Sequence, residues 1–387
     1  MLTTDFFSIS EFLTEEQLLI AQTVKDFSDK EIKPIIDEFA QRAEFPKHLI
    51  PKFGQLGVFG SVIPEVYGGG GLDYISYGLM CQEIERGDSG MRSTVSVQSS
   101  LVMWPIYQFG SEEQKMKYLP GLAKGEILGC FGLTEPDFGS NPGGLKTTIT
   151  RTQGGYFLNG SKTWISNAPF ADIAVVWARN EEGRVQGVIV ERGMEGFTTP
   201  EIHKKWSLRA SATGELVFNK VLIPKENLLP DGIGLKAALQ CLDKARYGIA
   251  WGVLGAAMDC YEIALKYAGE RIQFDRPISA FQLTQKKLAE MLTEITKGQL
   301  LAWRLGVLMN EDKATSTQIS MAKRNNVEMA LNVAREARQI LGAMGISGDY
   351  PIIRHMLNLE SVITYEGTHD IHLLILGAEI TGIPAFK

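Results

Sequence analysis

The 387-residue sequence lacks the features of several large protein classes. It has only four cysteines and no CxxC pair, so it encodes neither a disulfide framework nor a thiolate zinc site, and we expect a reducing compartment. It also lacks a surplus of positive charge, because 39 Lys and Arg residues face 45 Asp and Glu residues. A net charge of −6 does not favour binding to a phosphate backbone, so no nucleic-acid partner is expected.

Long apolar runs and the common nucleotide-binding motifs are absent as well. No run reaches the roughly 18–20 residues that span a bilayer, and the first residues show no basic segment ahead of an apolar one. Neither GxGxxG nor GxxxxGK[ST] occurs, so the common dinucleotide-binding and P-loop folds have no support. The sequence therefore predicts a cytoplasmic protein with no membrane span.

What remains is an ordinary globular composition, with 44% hydrophobic and 22% charged residues, in a chain long enough for two or three domains. Its first third shows helical spacing. A T-x-x-Q capping box at Thr14 and Gln17 opens the first helix, which is expected to end by Pro34. The middle third consists of short β-rich segments separated by turn pairs such as Gly154-Gly155 and Asn159-Gly160, which predict antiparallel pairing.

Long helical periods return in the last third, where Gly342 with Gly345 is expected to close a helix running from about Ser316. The expected fold class is therefore α+β. We predict an N-terminal helical domain (1–125), a middle antiparallel β domain (126–232) and a C-terminal helical bundle (233–387).

Three polar segments carry candidate chemistry. Residues 131–142, FGLTEPDFGSNP, form a loop whose backbone N–H groups and hydroxyls suit a polyanionic or heteroaromatic ligand, although a stretch of this kind is more often a plain structural turn. In TYEGTHDIH, residues 364–372, burial would raise the pKa of Glu366 towards that of a general base. The alternative there is a helix N-terminus capped by Thr368 or Asp370, with Glu366 in solvent.

The third segment is the charge cluster in residues 83–93, EIERGDSGMRS. Such a cluster is typical of a solvated helix face, but a buried Arg92 would be suited to bind a substrate carboxylate. His369 and His372 are spaced to face one metal ion, yet no third ligand is evident, so no metal site is expected.

Together with KTWISN, ERIQFDRPISAFQ and QILGAMGI, these segments resemble the acyl-CoA dehydrogenase flavoprotein family from about residue 13 to residue 386. IERGDSGMRSTVSVQSS, ARYGIAWGVLG and TYEGTHDIHLLILG are most similar to its decarboxylating glutaryl-CoA dehydrogenases. The resemblance implies the acyl-CoA dehydrogenase fold and one FAD per subunit. It also implies a homotetramer built as a dimer of dimers, and an electron-transferring flavoprotein as electron acceptor.

The resemblance assigns one set of positions to FAD. Those along the flavin are Phe131, Leu133, Thr134, Gly139, Ser140, Trp164, Ile165 and Ser166. Leu133 and Thr134 are expected nearest the ring, and Ser140 is expected to turn towards the pantetheine or pyrophosphate of CoA. Those near the rest of the cofactor are Arg271, Gln282, Thr368 and Asp370, with Gln339, Leu341 and Gly342 coming from the neighbouring subunit. Two residues depart from the family pattern: Asn141 replaces an Asp, and Asp275 replaces a Gly in a turn that needs positive φ, which Asp tolerates better than most residues.

The resemblance also implies a reaction. Glu366 removes the α-proton of the acyl thioester while flavin N5 takes a hydride from the β-carbon, and the Glu366 N–H and a ribityl hydroxyl stabilise the enolate. Arg92, with Ser93 beside it, binds the distal carboxylate of glutaryl-CoA, and Tyr365 and Glu85 belong to the decarboxylating type. The remaining substrate-binding positions are Ser140, Leu242, Asp243, Arg246 and Gly367.

The expected products are crotonyl-CoA and CO2. Four alternatives stay open: a dehydrogenase of short neutral acyl-CoAs in which Arg92 pairs structurally with Glu85 or Asp88, a non-decarboxylating glutaryl-CoA dehydrogenase, an oxidase that passes electrons to O2, and a non-catalytic FAD-binding scaffold.

Overall fold

A computed structural model describes residues 4–385, in which a helical first third and a helical last third flank a β-sheet. The predicted α+β class is confirmed. The helices of the first third are α1 (Glu15–Phe27), α2 (Lys33–Arg42), α3 (Leu49–Leu56), α4 (Tyr74–Gly87), α5 (Ser89–Ser96), α6 (Trp104–Phe109) and α7 (Glu112–Ala123). Those of the last third are α8 (Leu235–Glu270), α9 (Gln282–Asn310), α10 (Ser316–Ile340), α11 (Ile352–Val362) and α12 (His369–Thr381).

The first helix begins where the sequence predicts. The Thr14 hydroxyl accepts from the Gln17 backbone at 3.2 Å and the Gln17 side chain accepts from the Thr14 N–H at 3.0 Å, which confirms the capping box. α1 ends at Phe27, before Pro34 as predicted, but the chain does not leave helical structure there. It passes through one π turn, Ser28–Ile32, directly into α2, and Pro34 lies in the first turn of α2, where proline is tolerated.

The middle third forms one eight-stranded sheet of mixed direction. Its strands are β1 (Gly129–Gly132), β2 (Thr148–Thr152), β3 (Gly155–Ser166), β4 (Ile173–Arg179), β5 (Val185–Glu191), β6 (Phe197–Thr198), β7 (Thr213–Ile223) and β8 (Leu228–Ile233). They lie in the order β6-β7-β3-β2-β4-β5-β8, and β1 pairs with β4. A short hairpin, β9 (Ile272–Gln273) with β10 (Arg276–Pro277), follows α8.

Two details of the sheet differ from the sequence prediction. It is not wholly antiparallel, because β1 runs parallel to β4 and β2 touches β4 in parallel at Thr148. Asn159 and Gly160 are not a turn between strands. They lie inside β3 at a bulge, where Gly160 has φ +135° and Asn159 Oδ1 accepts from the Lys220 N–H.

The last third is built around α8, which packs against α4 and α10. By length and composition α8 could cross a membrane, but 83% of its most apolar stretch is buried inside the protein, as in a core helix. The predicted end of α10 is confirmed: the helix runs from Ser316 to Ile340, and Gly342 follows with φ +60°. The elements change from helix to strand between Ala123 and Gly129 and back between Ile233 and Leu235.

Candidate active site

The turn between α11 and α12 has an unusual backbone conformation. Glu366 has φ +56°, a left-handed conformation that costs a non-glycine residue roughly 1–2 kcal/mol. α12 starts directly afterwards, with the Thr368 hydroxyl accepting from the Ile371 N–H at 3.2 Å. Thr368 therefore caps the helix, as the alternative interpretation expected, but Glu366 does not point freely into solvent.

Two buried cations hold the backbone of this turn. Arg246 Nε, on α8, donates to the Glu366 carbonyl at 2.8 Å. Lys323 Nζ, on α10, donates to the carbonyls of Tyr365 and Gly367 at 3.0 and 2.9 Å. Three successive carbonyl groups of the turn therefore accept hydrogen bonds from buried cations, which fixes its backbone.

The Glu366 carboxyl group has the properties of a general base. Its Oε2 atom is buried and has no hydrogen-bond partner among residues 4–385. Desolvation raises its pKa to about 7, although the positive charges of Arg246, Lys323 and Arg92 act in the opposite direction. A carboxylate with a pKa near neutrality can take a weakly acidic proton and return it later.

A buried ion pair lies next to this turn. Arg92 on α5 and Glu85 on α4 are 1% and 0% exposed, and Arg92 Nε donates to Glu85 Oε2 at 2.5 Å. Arg92 Nη2 donates to the Tyr365 hydroxyl, so the pair is tied to the residue that precedes Glu366. Glu85 Oε1 has no partner within the described chain. The ion pair therefore presents one cationic and one anionic group to the site of Glu366.

The junction of α4 and α5 fixes where Arg92 points. Asp88 caps α5 by accepting from the Gly90 N–H at 2.7 Å, and it also accepts from Arg354 Nη1 and Asn358 Nδ2 on α11 at 2.6 and 2.8 Å. Because Asp88 is occupied in this way, it is not the partner of Arg92. The structural pairing with Asp88 that the sequence left open is therefore wrong.

A buried side chain of the sheet anchors the start of the FGLTEPDFGSNP loop. Lys162 Nζ, fully buried on β3, donates to the Leu133 carbonyl at 3.1 Å and to Glu135 Oε1 at 2.8 Å. Glu135 also accepts from the backbone N–H groups of Lys146 and Thr147 at 2.7 and 2.9 Å. Sequence reasoning did not single out Lys162 or Glu135, because each lies inside a motif chosen for its neighbours.

The side chains of this loop divide into an inner and an outer group. Phe131 and Leu133 are buried in the core, and the Thr134 carbonyl accepts from the Thr163 N–H at 3.0 Å. Gly139 and Ser140 are exposed at the far end of the loop. A ligand lying along the loop would thus meet backbone and small polar groups.

Trp164 presents a large aromatic surface beside this loop. It lies at a bulge in β3 with φ +59°, and 61% of its side chain is exposed, while its neighbour Ile165 is buried. Ser166 ends the strand and is half-buried. A strand tryptophan with a free π-face next to a polar loop fits a planar heteroaromatic ring, and so the residues present fit a flavin.

The chain was compared with known protein families and structures. Its residues 14–126, 130–221 and 232–381 match the models for the N-terminal, middle and C-terminal domains of acyl-CoA dehydrogenases. It is 40% identical over 375 residues to an acyl-CoA dehydrogenase of Bacillus subtilis, covering 96% of this chain and 99% of that protein. The chain belongs to the acyl-CoA dehydrogenase family.

Two further comparisons bear on the branch of the family. The short-chain specific acyl-CoA dehydrogenase of rat mitochondria is 36% identical over 373 residues, with 95% of this chain and 90% of that protein covered. A structure of glutaryl-CoA dehydrogenase from Mycobacterium smegmatis in complex with FADH2 is 48% identical, with a TM-score of 0.98 and 99% of both chains covered. The protein is an acyl-CoA dehydrogenase oxidoreductase, and its cofactor is FAD.

The positions assigned to the distal part of FAD lie on exposed ends of helices. Arg271 directly follows α8, Gln282 begins α9, and Gln339 and Gly342 flank the end of α10. Leu341 differs from these because its side chain is buried in the C-terminal core, so only its backbone is available to a ligand. Asp370, in the first turn of α12, is also exposed.

The two departures from the family pattern are both accommodated. Asp275 has φ +62° in the β9–β10 turn, which is the positive φ that the sequence analysis attributes to this position. Asn141 precedes a single 3₁₀ turn, Pro142–Gly144, and its side chain does not cap that turn. No account of the Asn141 replacement follows from its surroundings.

The substrate-side positions are only partly free to meet a ligand. Ser93 is buried beside Arg92, and Leu242 packs against the N-terminal core. Asp243 accepts from Arg246 Nη1 at 3.3 Å and from the Ser316 hydroxyl at 2.5 Å. Sequence reasoning assigned Arg246 to the CoA side and missed its bond to the Glu366 carbonyl.

Gly367 has φ +91°, and a Cβ atom there would lie 2.9 Å from Nε2 of the buried His372. Any other residue at this position would be strained and would crowd the imidazole. The turn that holds Glu366 therefore requires glycine at position 367.

Proposed function

We propose that this acyl-CoA dehydrogenase oxidises glutaryl-CoA and decarboxylates it to crotonyl-CoA and CO2. The observation that carries the proposal is the buried Arg92, 1% exposed, beside the Glu366 turn. Glu85 and Tyr365 engage two nitrogens of this guanidinium, but Nη1 bonds to no described residue, and a pocket for plain aliphatic acyl chains has no use for a buried donor left without a partner. A dicarboxylic substrate supplies the anion that such a group binds.

Glu366 acts first, as the base that removes the α-proton of the thioester. Its raised pKa, near 7, makes the carboxylate a strong enough acceptor while leaving it ionised at neutral pH in a useful fraction. Bound FAD supplies the hydride acceptor. The Glu366 N–H makes no hydrogen bond within residues 4–385, so it is free to donate to the thioester oxygen as negative charge develops there.

The hydrogen bonds around Arg92 favour loss of CO2. Nε is engaged by Glu85 and Nη2 by the Tyr365 hydroxyl, whereas Nη1 bonds to no described residue. Arg92 is therefore left with one free nitrogen instead of a planar fork, and it holds the substrate carboxylate more weakly than a bidentate contact would. Once the α,β-double bond has formed, the C–C bond to that carboxylate breaks, and protonated Glu366 returns its proton to the γ-carbon of the resulting dienolate.

A second candidate is a dehydrogenase of short neutral acyl-CoAs. The contact between Arg92 and Glu85 favours it, because a pair of opposite charges needs no substrate anion. Anaerobic mixing of the purified protein with glutaryl-CoA and, separately, with butyryl-CoA distinguishes the two. We expect glutaryl-CoA to bleach the flavin much faster, with release of CO2 and crotonyl-CoA in equal amounts. Faster bleaching by butyryl-CoA would contradict glutaryl-CoA as the substrate.

The acyl-CoA products decide whether decarboxylation follows dehydrogenation. The matched variant is Tyr365→Val, which removes the phenol from Arg92 and is expected to shift the product towards glutaconyl-CoA. Glutaconyl-CoA as the main product of the unmodified protein would contradict decarboxylation and leave the oxidation of glutaryl-CoA intact.

The same proposal includes an electron-transferring flavoprotein as acceptor, a homotetramer and a cytoplasmic location. Exposed apolar side chains near the β9–β10 hairpin, described below, support subunit contacts. The acceptor can be tested by following whether reduced enzyme is reoxidised faster by such a flavoprotein than by O2. Faster reoxidation by O2 would favour the oxidase alternative.

A further inference from the structure

Lys323 is a buried lysine on the inner face of α10. It is 1% exposed and lies one turn from the buried residues Ile319 and Val327. Its ammonium group has two hydrogen-bond acceptors, the carbonyls of Tyr365 and Gly367 on either side of Glu366. Burying a lysine is costly, so two directed bonds to the turn that holds the proposed base suggest a role in that turn.

The two hydrogen bonds from Lys323 fix the orientation of the peptide groups around Glu366. In a planar trans peptide the C=O and the following N–H point in opposite directions. When Lys323 draws the Tyr365 carbonyl towards α10, the N–H of Glu366 must therefore point away from α10. That N–H has no acceptor in residues 4–385, and the left-handed φ of +56° at Glu366 is maintained at the same time.

We propose that Lys323 is a positioning residue that aims the Glu366 N–H at the thioester oxygen and holds the strained turn in which Glu366 acts. The inference rests on the proposed role of Glu366 as the base. It adds a residue that touches neither substrate nor flavin and acts through the backbone of the turn. Above the pKa of its ammonium group a neutral amine still has two N–H donors, so both carbonyls remain held.

The charge of Lys323 has a separate effect. When protonated it lowers the pKa of Glu366, and burial in turn lowers the pKa of Lys323 to about 7. The other ionisable groups that face these two residues are Cys241, Asp243 and Arg246 on α8, Arg92 on α5, Tyr365 beside Glu366, and His372 on α12. None of these groups forms the two bonds to the carbonyls of Tyr365 and Gly367.

Three variants separate the effect of hydrogen bonding from that of charge and from general damage to α10. Lys323→Met removes the hydrogen-bond donor and the charge, and Lys323→Gln keeps an amide donor without the charge. Arg324→Met is the matched control, because Arg324 is the next residue on α10 and pairs with Glu328, away from the turn. Flavin content and thermal melting are measured first, so that only folded, loaded proteins are compared.

The rate of flavin reduction by saturating acyl-CoA is the first measurement. We expect Lys323→Met to reduce it by about 10- to 100-fold, below the loss that follows complete removal of an oxyanion donor. Lys323→Gln should lose less, and both variants should need a higher pH for half-maximal rate because Glu366 loses a neighbouring positive charge. Arg324→Met should match the unmodified protein.

The second measurement reports directly on the N–H. In a Glu366→Gln background, where no proton is removed, the infrared band of the bound thioester carbonyl shifts to lower frequency on binding if a hydrogen bond polarises it. Adding Lys323→Met should abolish most of that shift. A folded Lys323→Met protein with an unchanged rate and an unchanged carbonyl band would overturn the proposal. If Lys323→Met does not fold, an unchanged rate and an unchanged carbonyl band in Lys323→Ala, which also removes the donor, would overturn it instead.

Failure of the proposed function gives a different pattern. All acyl-CoA substrates share the thioester, so a protein that prefers butyryl-CoA loses the glutaryl-CoA assignment, and the same Lys323 measurements are then made with butyryl-CoA. Normal flavin reduction by Glu366→Gln would contradict Glu366 as the base.

Discussion

At the scale of single residues, the site depends on groups whose ionisation differs from that in water. Burial raises the pKa of Glu366 to about 7 and lowers that of Lys323 to about 7, so one acid and one base of very different intrinsic strength titrate in the same range. Strongly shifted pKa values of this kind are typical of functional sites.

The first prediction concerns the pH dependence of flavin reduction. Only the carboxylate form of Glu366 accepts a proton, and this form increases as pH rises through about 7. kcat/KM for flavin reduction should therefore rise with pH through that value and level off above it. Stopped-flow measurements across the neutral range test this. A profile that already levels off near the pKa of an ordinary carboxyl group would mean that Glu366 is not desolvated or is not the base.

The second prediction concerns Arg92→Ala. Deleting one partner of a buried charge pair typically costs about 2–5 kcal/mol, and this loss should fall on kcat/KM for glutaryl-CoA. Butyryl-CoA has no distal carboxylate, so its turnover, measured per mole of folded, flavin-loaded protein, provides the internal control and should change little. Steady-state kinetics with both substrates measure the difference. Equal losses for the two would make Arg92 a purely structural residue.

Several of these residues could be predicted from sequence and others could not. Glu366 and Arg92 lie in dense polar segments, which drew attention to them. Lys323 lies in a helix where single lysines usually face solvent, although its spacing of four from Ile319 and Val327 already placed it on the apolar face. The bond between Arg246 and the Glu366 carbonyl joins positions far apart in the chain, so local pattern could not reveal it.

At the scale of helices and strands, short sequence patterns predicted those features that depend on neighbouring residues. The capping box of α1 and the glycine after α10 are set by a few neighbouring residues. The parallel contact between β1 and β4 pairs Gly129 with Ile173, which no turn connects, so alternation and turn residues gave no sign of it. The π turn before Pro34 was missed because a proline in a helical pattern usually marks a helix end.

The close packing of α4 against α8 leads to the third prediction. A Cβ atom on Gly252 of α8 would overlap Glu85 Oε2 and lie 3.0 Å from Arg92 Nε. Gly252→Ala should therefore displace the ion pair and reduce turnover of glutaryl-CoA more than flavin binding. The control is Gly269→Ala on the same helix, where a Cβ meets nothing within 4 Å and helix propensity favours alanine by roughly 1 kcal/mol.

Kinetics and thermal melting of the two alanine variants measure this contrast. We expect the second variant to be as active as the unmodified protein and slightly more stable. An equally active Gly252→Ala protein would show that the position of the Arg92–Glu85 pair does not control substrate oxidation.

At the scale of the whole molecule, the chain exposes large apolar side chains around the β9–β10 hairpin. Phe274 is 87% exposed and Leu283, in the first turn of α9, is 74% exposed. Neighbouring exposed apolar side chains of this size are unusual on a protein that stays monomeric. They lie near Arg271 and Gln282, which the family resemblance assigns to FAD, and near Gln339, which it assigns to the FAD of the neighbouring subunit.

The fourth prediction follows from this surface. Phe274→Ser should reduce the mass of the particle measured by analytical ultracentrifugation and should also reduce flavin content, because both depend on the same contact in the proposed tetramer. Val66→Ser, which changes an exposed apolar residue elsewhere, should keep the mass and flavin content of the unmodified protein. A Phe274→Ser protein of unchanged mass would place the subunit contact elsewhere.

The buried contact between Arg92 and Glu85 constrains how this enzyme can evolve. A mutation of Arg92 alone strands the Glu85 carboxylate in the interior, and a mutation of Glu85 alone strands the guanidinium; each loss typically costs about 3–5 kcal/mol. A lineage that moves from dicarboxylic to neutral acyl-CoAs one substitution at a time therefore crosses a less stable intermediate. Relatives with other substrates should differ at both positions together, and inherited variants of either residue alone should reduce protein abundance as well as activity.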